Sequence, residues 1–201
     1  IGELRTLHSA DWKLEIGSIT LCSQEEEQAP AIIFDDIKDF PRGYRIIVNC
    51  LRSLKRTALA FGLTSGLKPI ELVKLWRGKY HNLKPIPPIQ VKDGPILENV
   101  QEDKEVNVLK FPAPFWNQDD GGRYIGTGSV DITRDPEEGW VNLGTYRLMV
   151  HDEKTLGFFI VPGKNGWIHR EKYFVRGQPC KVAISLGHEP LIFVAGTSTF
   201  D

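Results

Sequence analysis

Along the first eighty positions, apolar residues fall in short runs punctuated by charged and turn-forming residues. Residues 14–22 are apolar at spacings that suit helix and strand alike, so their state stays open. Glu25, Glu26 and Glu27 mark a solvated turn after them. The run Ala31-Ile32-Ile33-Phe34, closed by Asp35 and Asp36, predicts a buried strand. Phe40-Pro41-Arg42-Gly43 reads as a turn, and residues 45–49 as a second buried strand. Ser53 and Gly62 frame a helix, one as a side-chain cap and the other as a stop. Residues 69–80 predict a further helix. Pro69 is a favoured first helical residue, and Ile70, Val73, Leu75 and Trp76 recur at helical spacing.

The pattern changes after residue 84. Pro85, Pro87, Pro88 and Pro95 make helix unfavourable, and the acidic run 98–105 is solvated, so a long connector is expected. This divides the chain into an α+β unit over 1–105 and a second unit over 106–201. The second unit is written in β grammar. Asp119-Asp120-Gly121-Gly122 is a turn, residues 128–133 alternate, and 140–150 form one apolar strand interrupted by Asn142 and Arg147. Residues 151–154 predict a hairpin loop leading to a strand over 155–161. Pro162-Gly163-Lys164-Asn165-Gly166 reads as a loop, and 172–176 as a short helix stopped by Gly177. Residues 181–186 form another strand, and the ordered pattern ends over 190–194. Short strands spaced by turns suggest a small antiparallel barrel.

Composition narrows the classes. The chain has 201 residues, 41% hydrophobic and 25% charged, which excludes disorder and low complexity. Its 25 basic and 26 acidic residues leave a formal net charge of -1, with no basic excess for nucleic acid. No apolar run is long enough for a membrane span. Cys22, Cys50 and Cys180 are widely spaced and odd in number. They are expected as free, mostly buried thiols in a reducing cytoplasm. The chain opens at Ile1 and its one methionine is Met149, so a fragment of a longer protein is expected.

The densest candidate chemistry is in the strand at 140–150. Asn142 offers a hard carbonyl oxygen, and Arg147 a planar, permanently charged fork for phosphate or carboxylate. Five residues apart, they fall on opposite faces of a flat strand, and a bulge or bend at Gly144 would let both reach one ligand. The plainer alternative is an Asn closing a turn and an Arg on the solvated face. Lys164 and its flanking glycines could cradle phosphate or form an ordinary surface turn. The glycine-rich run 121–128 precedes a strand, so it is no dinucleotide fingerprint. His151, His169 and His188 lack metal spacing and read as surface or structural residues.

These residues carry a resemblance. Asp120-Gly-Gly-Arg-Tyr-Ile-Gly-Thr-Gly-Ser129, followed by Gly139-Trp-Val-Asn-Leu-Gly-Thr-Tyr-Arg-Leu-Met-Val-His-Asp152, resembles the UbiD family of reversible decarboxylases. Pro162-Gly-Lys-Asn-Gly166, His169-Arg-Glu-Lys-Tyr-Phe174 and Arg176-Gly-Gln-Pro-Cys180 extend the likeness, and Ala31-Ile-Ile-Phe-Asp-Asp-Ile-Lys-Asp-Phe-Pro41 carries it upstream. The resemblance implies a small α/β domain followed by a split β-barrel of the flavin-reductase type, in a cytoplasmic enzyme that is a homo-oligomer at full length. It implies prenylated FMN as cofactor, with Mn2+ or another divalent metal on its phosphate and K+ nearby. Asn142 is then a metal ligand, Arg147 contacts cofactor and substrate carboxylate, and Thr145 and Tyr146 lie in the cofactor-binding stretch. Lys164 and Asn165 belong to the same site, and main-chain carbonyls of Leu143, Ala195 and Gly196 face the potassium.

The implied reaction is loss of CO2 from an aromatic, chiefly phenolic, or α,β-unsaturated acid. The cofactor does the difficult chemistry and Arg147 orients the carboxylate. Two departures matter. The resemblance implies that many relatives carry His where Asn165 stands and use it on the metal. The family's metal-binding Glu, its acid/base carboxylates and its third domain lie downstream of Asp201, so the chain is expected to be inactive alone. A non-catalytic flavin- or phosphate-binding module and one subunit of a split carboxylase are the competing readings.

Overall fold

Strand β1 (Leu4–His8) pairs in parallel with β2 (Ala31–Asp35), reached through helix α1 (Glu15–Ser23), and β2 pairs antiparallel with β3 (Ile46–Val48). This computed structural model describes residues 2–84, 86–126 and 128–198; Pro85 of the connector and Thr127 of the glycine-rich run lie outside them. β1 escaped the sequence reading because its side chains are mostly exposed and show no apolar alternation. β2 is the middle strand, covered on both faces, which is why its apolar residues run without interruption. Ile16, Ile32, Phe34, Ile37 and Val48 form the core here, and Trp116 of the second half packs against it. Gly17 permits that approach, since a Cβ there would sit 1.8 Å from the Trp116 carbonyl oxygen.

The next two helices begin as expected. The Ser53 hydroxyl accepts from the Arg56 N–H to cap α2 (Leu54–Ala60), and Gly62 takes the positive φ that ends it. α3 (Pro69–His81) lies against α2, with Phe61 and Trp76 stacked at 4.1 Å. Leu191 and Val194 cover this pair from the second half. Among its described residues the connector carries one 3-10 turn, at Pro95–Leu97, and a second follows it at Val108–Lys110.

The second half contains β4 (Arg123–Tyr124), β5 (Val130–Arg134), β6 (Val141–Gly144), β7 (Arg147–Val150) and β8 (Leu156–Phe159). It continues with α4 (Asn165–Phe174), β9 (Val182–Ser185) and α5 (Pro190–Thr197). The strands make two antiparallel sheets, ordered β4-β7-β8 and β6-β5-β9. The chain is thus a mixed α/β fold with three three-stranded sheets and five α-helices among the described residues, and these sheets do not close into a barrel.

Four expectations are corrected here. Residues 140–150 form two strands in different sheets, because the Tyr146 N–H leaves the ladder to donate to Asp131 Oδ2 at 2.8 Å. The loop expected over 162–166 holds as far as Lys164, where helix α4 begins with Asn165, and the short helix expected over 172–176 is the last turn of that same helix, followed by Gly177 at φ +64°. The helical residue Gly166 disguised its first turn. The chain does not lose order over 190–194. Pro190 opens α5 and the Glu189 carboxylate accepts from the Leu191 N–H at 2.9 Å. The cysteines are free, but Cys22 is exposed and Cys50 and Cys180 are half-buried, against the expectation of mostly buried thiols. No helix of the described residues is long and apolar enough to cross a membrane.

Candidate functional site

The step from β6 to β7 makes a cavity of about 390 Å3. β6 brings Asn142 to its wall, Thr145 and Tyr146 cross between the sheets, and β7 opens with Arg147. Lys164 and Asn165, at the start of α4, line another side, and Gly196, Thr197 and Ser198, at the end of α5, close it. The positive end of one helix dipole and the negative end of another therefore meet at this cavity.

Tyr146 is the pivot. Its ring lies against Gly144 and Gly166, where added Cβ atoms would come within 2.4 and 2.8 Å of it, and its edge meets Phe158. Its hydroxyl accepts from the Gly166 N–H at 3.0 Å and from Asn142 Nδ2 at 3.3 Å. Beneath it, Asp131 Oδ2 accepts from the Tyr146 N–H and, at 3.3 Å, from the Ser129 hydroxyl, while Oδ1 has no partner among the described residues. Burial pushes the Asp131 carboxyl up.

Asn142 is 5% exposed, and its Nδ2 also reaches Thr133 Oγ1 at 3.3 Å. No described donor meets its Oδ1, which leaves a hard carbonyl oxygen for a ligand. Arg147 is exposed at the cavity wall, and its guanidinium makes no hydrogen bond or ion pair among the described residues. An unpaired guanidinium beside a free amide oxygen suits an anion accompanied by a hard cation. No group of three or more His, Cys, Asp or Glu able to hold a metal occurs among the described residues. The amide oxygens and a bound anion would have to supply such a cation's ligands.

Of the residues picked from sequence, Asn142, Leu143, Thr145, Tyr146, Arg147, Lys164, Asn165 and Gly196 line the cavity. Ala195 lies outside that lining, and its carbonyl accepts from the Ser198 N–H at 3.1 Å. Asn142 and Arg147 line the same cavity, brought there by a change of sheet at 145–146 rather than a bulge. Behind Asn142 lie Thr133, which the sequence reading did not single out, and His169, which it gave as a surface or structural residue and which is buried. Thr133 was legible as a polar residue on an alternating strand, and His169 as a residue one helical turn from Gly166.

His169 is 2% exposed, with Nδ1 3.0 Å from Thr133 Oγ1 and Nε2 3.7 Å from Asp135 Oδ2. The Lys172 ammonium at 2.6 Å, aided by backbone N–H donors, holds the Asp135 carboxyl well below the usual carboxylate range. Desolvation lowers the His169 pKa, against the opposing pull of Asp135 and Glu138. The unfolded chain therefore takes up a proton near pH ~6.5 that the native site resists. His169 stabilises the fold fully above that pH, and its contribution is lost as pH falls below it. Urea melts from pH 7 to 5 should show the wild-type advantage over His169→Gln shrinking; a constant difference would contradict a neutral buried imidazole.

Comparison with known proteins agrees with this architecture. Residues 2–76 match the 3-octaprenyl-4-hydroxybenzoate carboxy-lyase N-terminal domain, and residues 89–201 the Rift-related domain of the same carboxy-lyase. The chain belongs to the UbiD family. It is 33% identical to the pyrrole-2-carboxylic acid decarboxylase of Pseudomonas aeruginosa, over 96% of this chain and 40% of that protein. The open-form structure of Sedimentibacter hydroxybenzoicus vanillic acid decarboxylase superposes with a TM-score of 0.83 at 27% identity, covering 98% of this chain and 42% of that one. The UbiD-class enzyme HmfF from Pelotomaculum thermopropionicum, in complex with FMN, shares the fold with a TM-score of 0.84 at 23% identity, over 100% of this chain and 43% of that one. The chain thus spans about 40% of the length of the curated relative it matches.

Proposed function

We propose that this chain is the cofactor-binding part of a carboxy-lyase acting on small aromatic or α,β-unsaturated acids, with prenylated FMN seated at the β6–β7 crossing. One observation carries the reading: the unpaired Arg147 guanidinium, the free Asn142 oxygen and the α4 N-terminus converge on one cavity. The decarboxylase relatives and the FMN complex of a protein sharing the fold support it. When bound, the cofactor supplies an electron sink for the carbon that loses CO2. Arg147 holds an anionic oxygen of cofactor or substrate, and its charge persists at any working pH. Lys164 and the first turn of α4 attract the phosphate, and the C-terminal carbonyls of α5 favour a cation.

In this reading Asn142 Oδ1 and Asn165 contribute to a divalent site for Mn2+, and main-chain oxygens of Leu143 and Gly196, with Ala195 adjacent, to a K+ site. Asn165 is a weaker ligand than the imidazole expected there in many relatives, so the phosphate must contribute more to the metal. The division at 105/106, the two sheets as the halves of a split barrel, a cytoplasmic setting and a homo-oligomer at full length belong to the same proposal.

The test is flavin fluorescence on titrating the chain into FMN with Mn2+ and K+. Quenching that saturates is the expected result, and Arg147→Ala should weaken affinity about tenfold, the value of a charged hydrogen bond of ~1.4 kcal/mol. Absence of quenching by the wild-type chain would overturn the reading.

A further inference from the structure

Thr133, Asp135, Asn142 and His169 are all nearly inaccessible, at 2%, 5%, 5% and 2% exposure. Buried polar side chains persist where their hydrogen bonds are arranged, and here the chemistry dictates the direction of each one. Asn142 Nδ2 can only donate, so Thr133 Oγ1 and Tyr146 Oη accept from it. Having accepted, Thr133 Oγ1 has one proton to give, and His169 Nδ1 lies 3.0 Å away to take it. The imidazole proton is then on Nε2, facing Asp135 Oδ2 at 3.7 Å. Asp135 is in turn fixed by Lys172 and by the Glu137 and Glu138 N–H groups.

This sequence of bonds has one sense. The Tyr146 hydroxyl could serve either face of the Asn142 amide, since it carries a proton of its own. Thr133 could not: Nε2 faces the Asp135 carboxylate, which can only accept, so the imidazole proton lies on Nε2 and Nδ1 is left to take the Thr133 proton, whichever way the amide is turned. A flipped amide would set Oδ1 against an oxygen with no hydrogen to offer.

We propose that Thr133 and His169 are positioning residues that fix the Asn142 amide with its oxygen toward the cavity. They touch neither cofactor nor substrate; they act through Asn142. The inference rests on the cavity holding a cation beside the cofactor phosphate, and predicts how this chain presents an oxygen to it. Removing hydrogen-bond partners that orient a metal ligand typically weakens the metal by about 10- to 100-fold.

The probe is Mn2+, titrated into the full chain with FMN and followed by the EPR signal of the free ion. Thr133→Val, which keeps the shape and removes the hydroxyl, should weaken Mn2+ at least about tenfold, as should Asn142→Ala, while Thr133→Ser should stay within about twofold of wild type. Equal affinity of wild type and Thr133→Val overturns the proposal. A second measurement needs no variant. In 15N-labelled wild type, the Asn142 side-chain amide protons should show contacts to the Thr133 methyl and the Tyr146 ring. Amide protons facing the cavity instead overturn the orientation, whatever the Thr133 variants do. Wild type that fails to bind Mn2+ with FMN, but shows those contacts, removes the cation reading and leaves the orienting chain standing.

Discussion

Replacing Arg56 by alanine should lower the unfolding free energy by about 3–5 kcal/mol, the usual cost of removing one partner of a buried ion pair. The guanidinium is 8% exposed and lies at the centre of the first half. It donates to the carbonyls of Ala29 at 2.6 Å, Asn49 at 2.9 Å and Cys50 at 3.2 Å, and pairs with Glu3 at 2.7 Å. Four acceptors drawn from three stretches of chain thus depend on one side chain. The Ser53 hydroxyl at 2.6 Å, assisted by the charges of Arg56 and Lys55, holds the Glu3 carboxyl below its ordinary range. Without Arg56, Glu3 keeps its charge and loses its closest cation. For a chain of this length, each kcal/mol moves Tm by about 2–4 °C, so a fall of about 10 °C is expected. Arg56→Lys should recover little, because one ammonium cannot reach three carbonyls and a carboxylate. Glu3→Gln in the alanine background should recover part of the loss. A melting curve within about 2 °C of wild type would show the carbonyls to be served by water instead.

Gly144→Ala should disrupt the site from inside. The new Cβ would lie 2.4 Å from the Tyr146 ring, a rigid neighbour that is itself held against Gly166 and Phe158. Either β6 leaves its register with Asp131 on β5, or the ring moves out of the crossing. Ring displacement breaks both hydrogen bonds of the Tyr146 hydroxyl and lets the segment before Arg147 shift. Overpacking of this kind costs about 1–3 kcal/mol, and FMN affinity should fall by at least about tenfold. The clash gives the control. Adding Tyr146→Ala to Gly144→Ala should restore much of the stability without restoring FMN binding, a non-additivity expected of residues in contact. Additive losses in the double variant would mean that Gly144 acts through the backbone alone.

How much of this molecule was legible depended on the range of the interaction involved. The strands β2 and β3 and the helices α2 and α3 were readable because their signals are local: uninterrupted apolar runs, Ser53 at a cap, Pro69 at a start, Gly62 at a stop. The residues that line the cavity were readable as chemistry, since an Asn and an Arg in an apolar strand are exceptions to its pattern. Their family resemblance added the expected cofactor. The start of α4 was hidden by its glycine, and α5 by apolar residues all around its circumference, which carry no period.

The chain by itself determined which residues are unusual and which segments with strong local signals are strand or helix, because propensity, capping and alternation act within a few residues. Only the tertiary structure decided that 140–150 divides between two sheets, since the break depends on Asp131, fifteen residues upstream, accepting the Tyr146 N–H. It also decided that His169 and Thr133 stand behind Asn142, at sequence separations of 36 and 9 residues along their two bonds. Contacts of that range are set by packing, and no periodicity in the sequence records them.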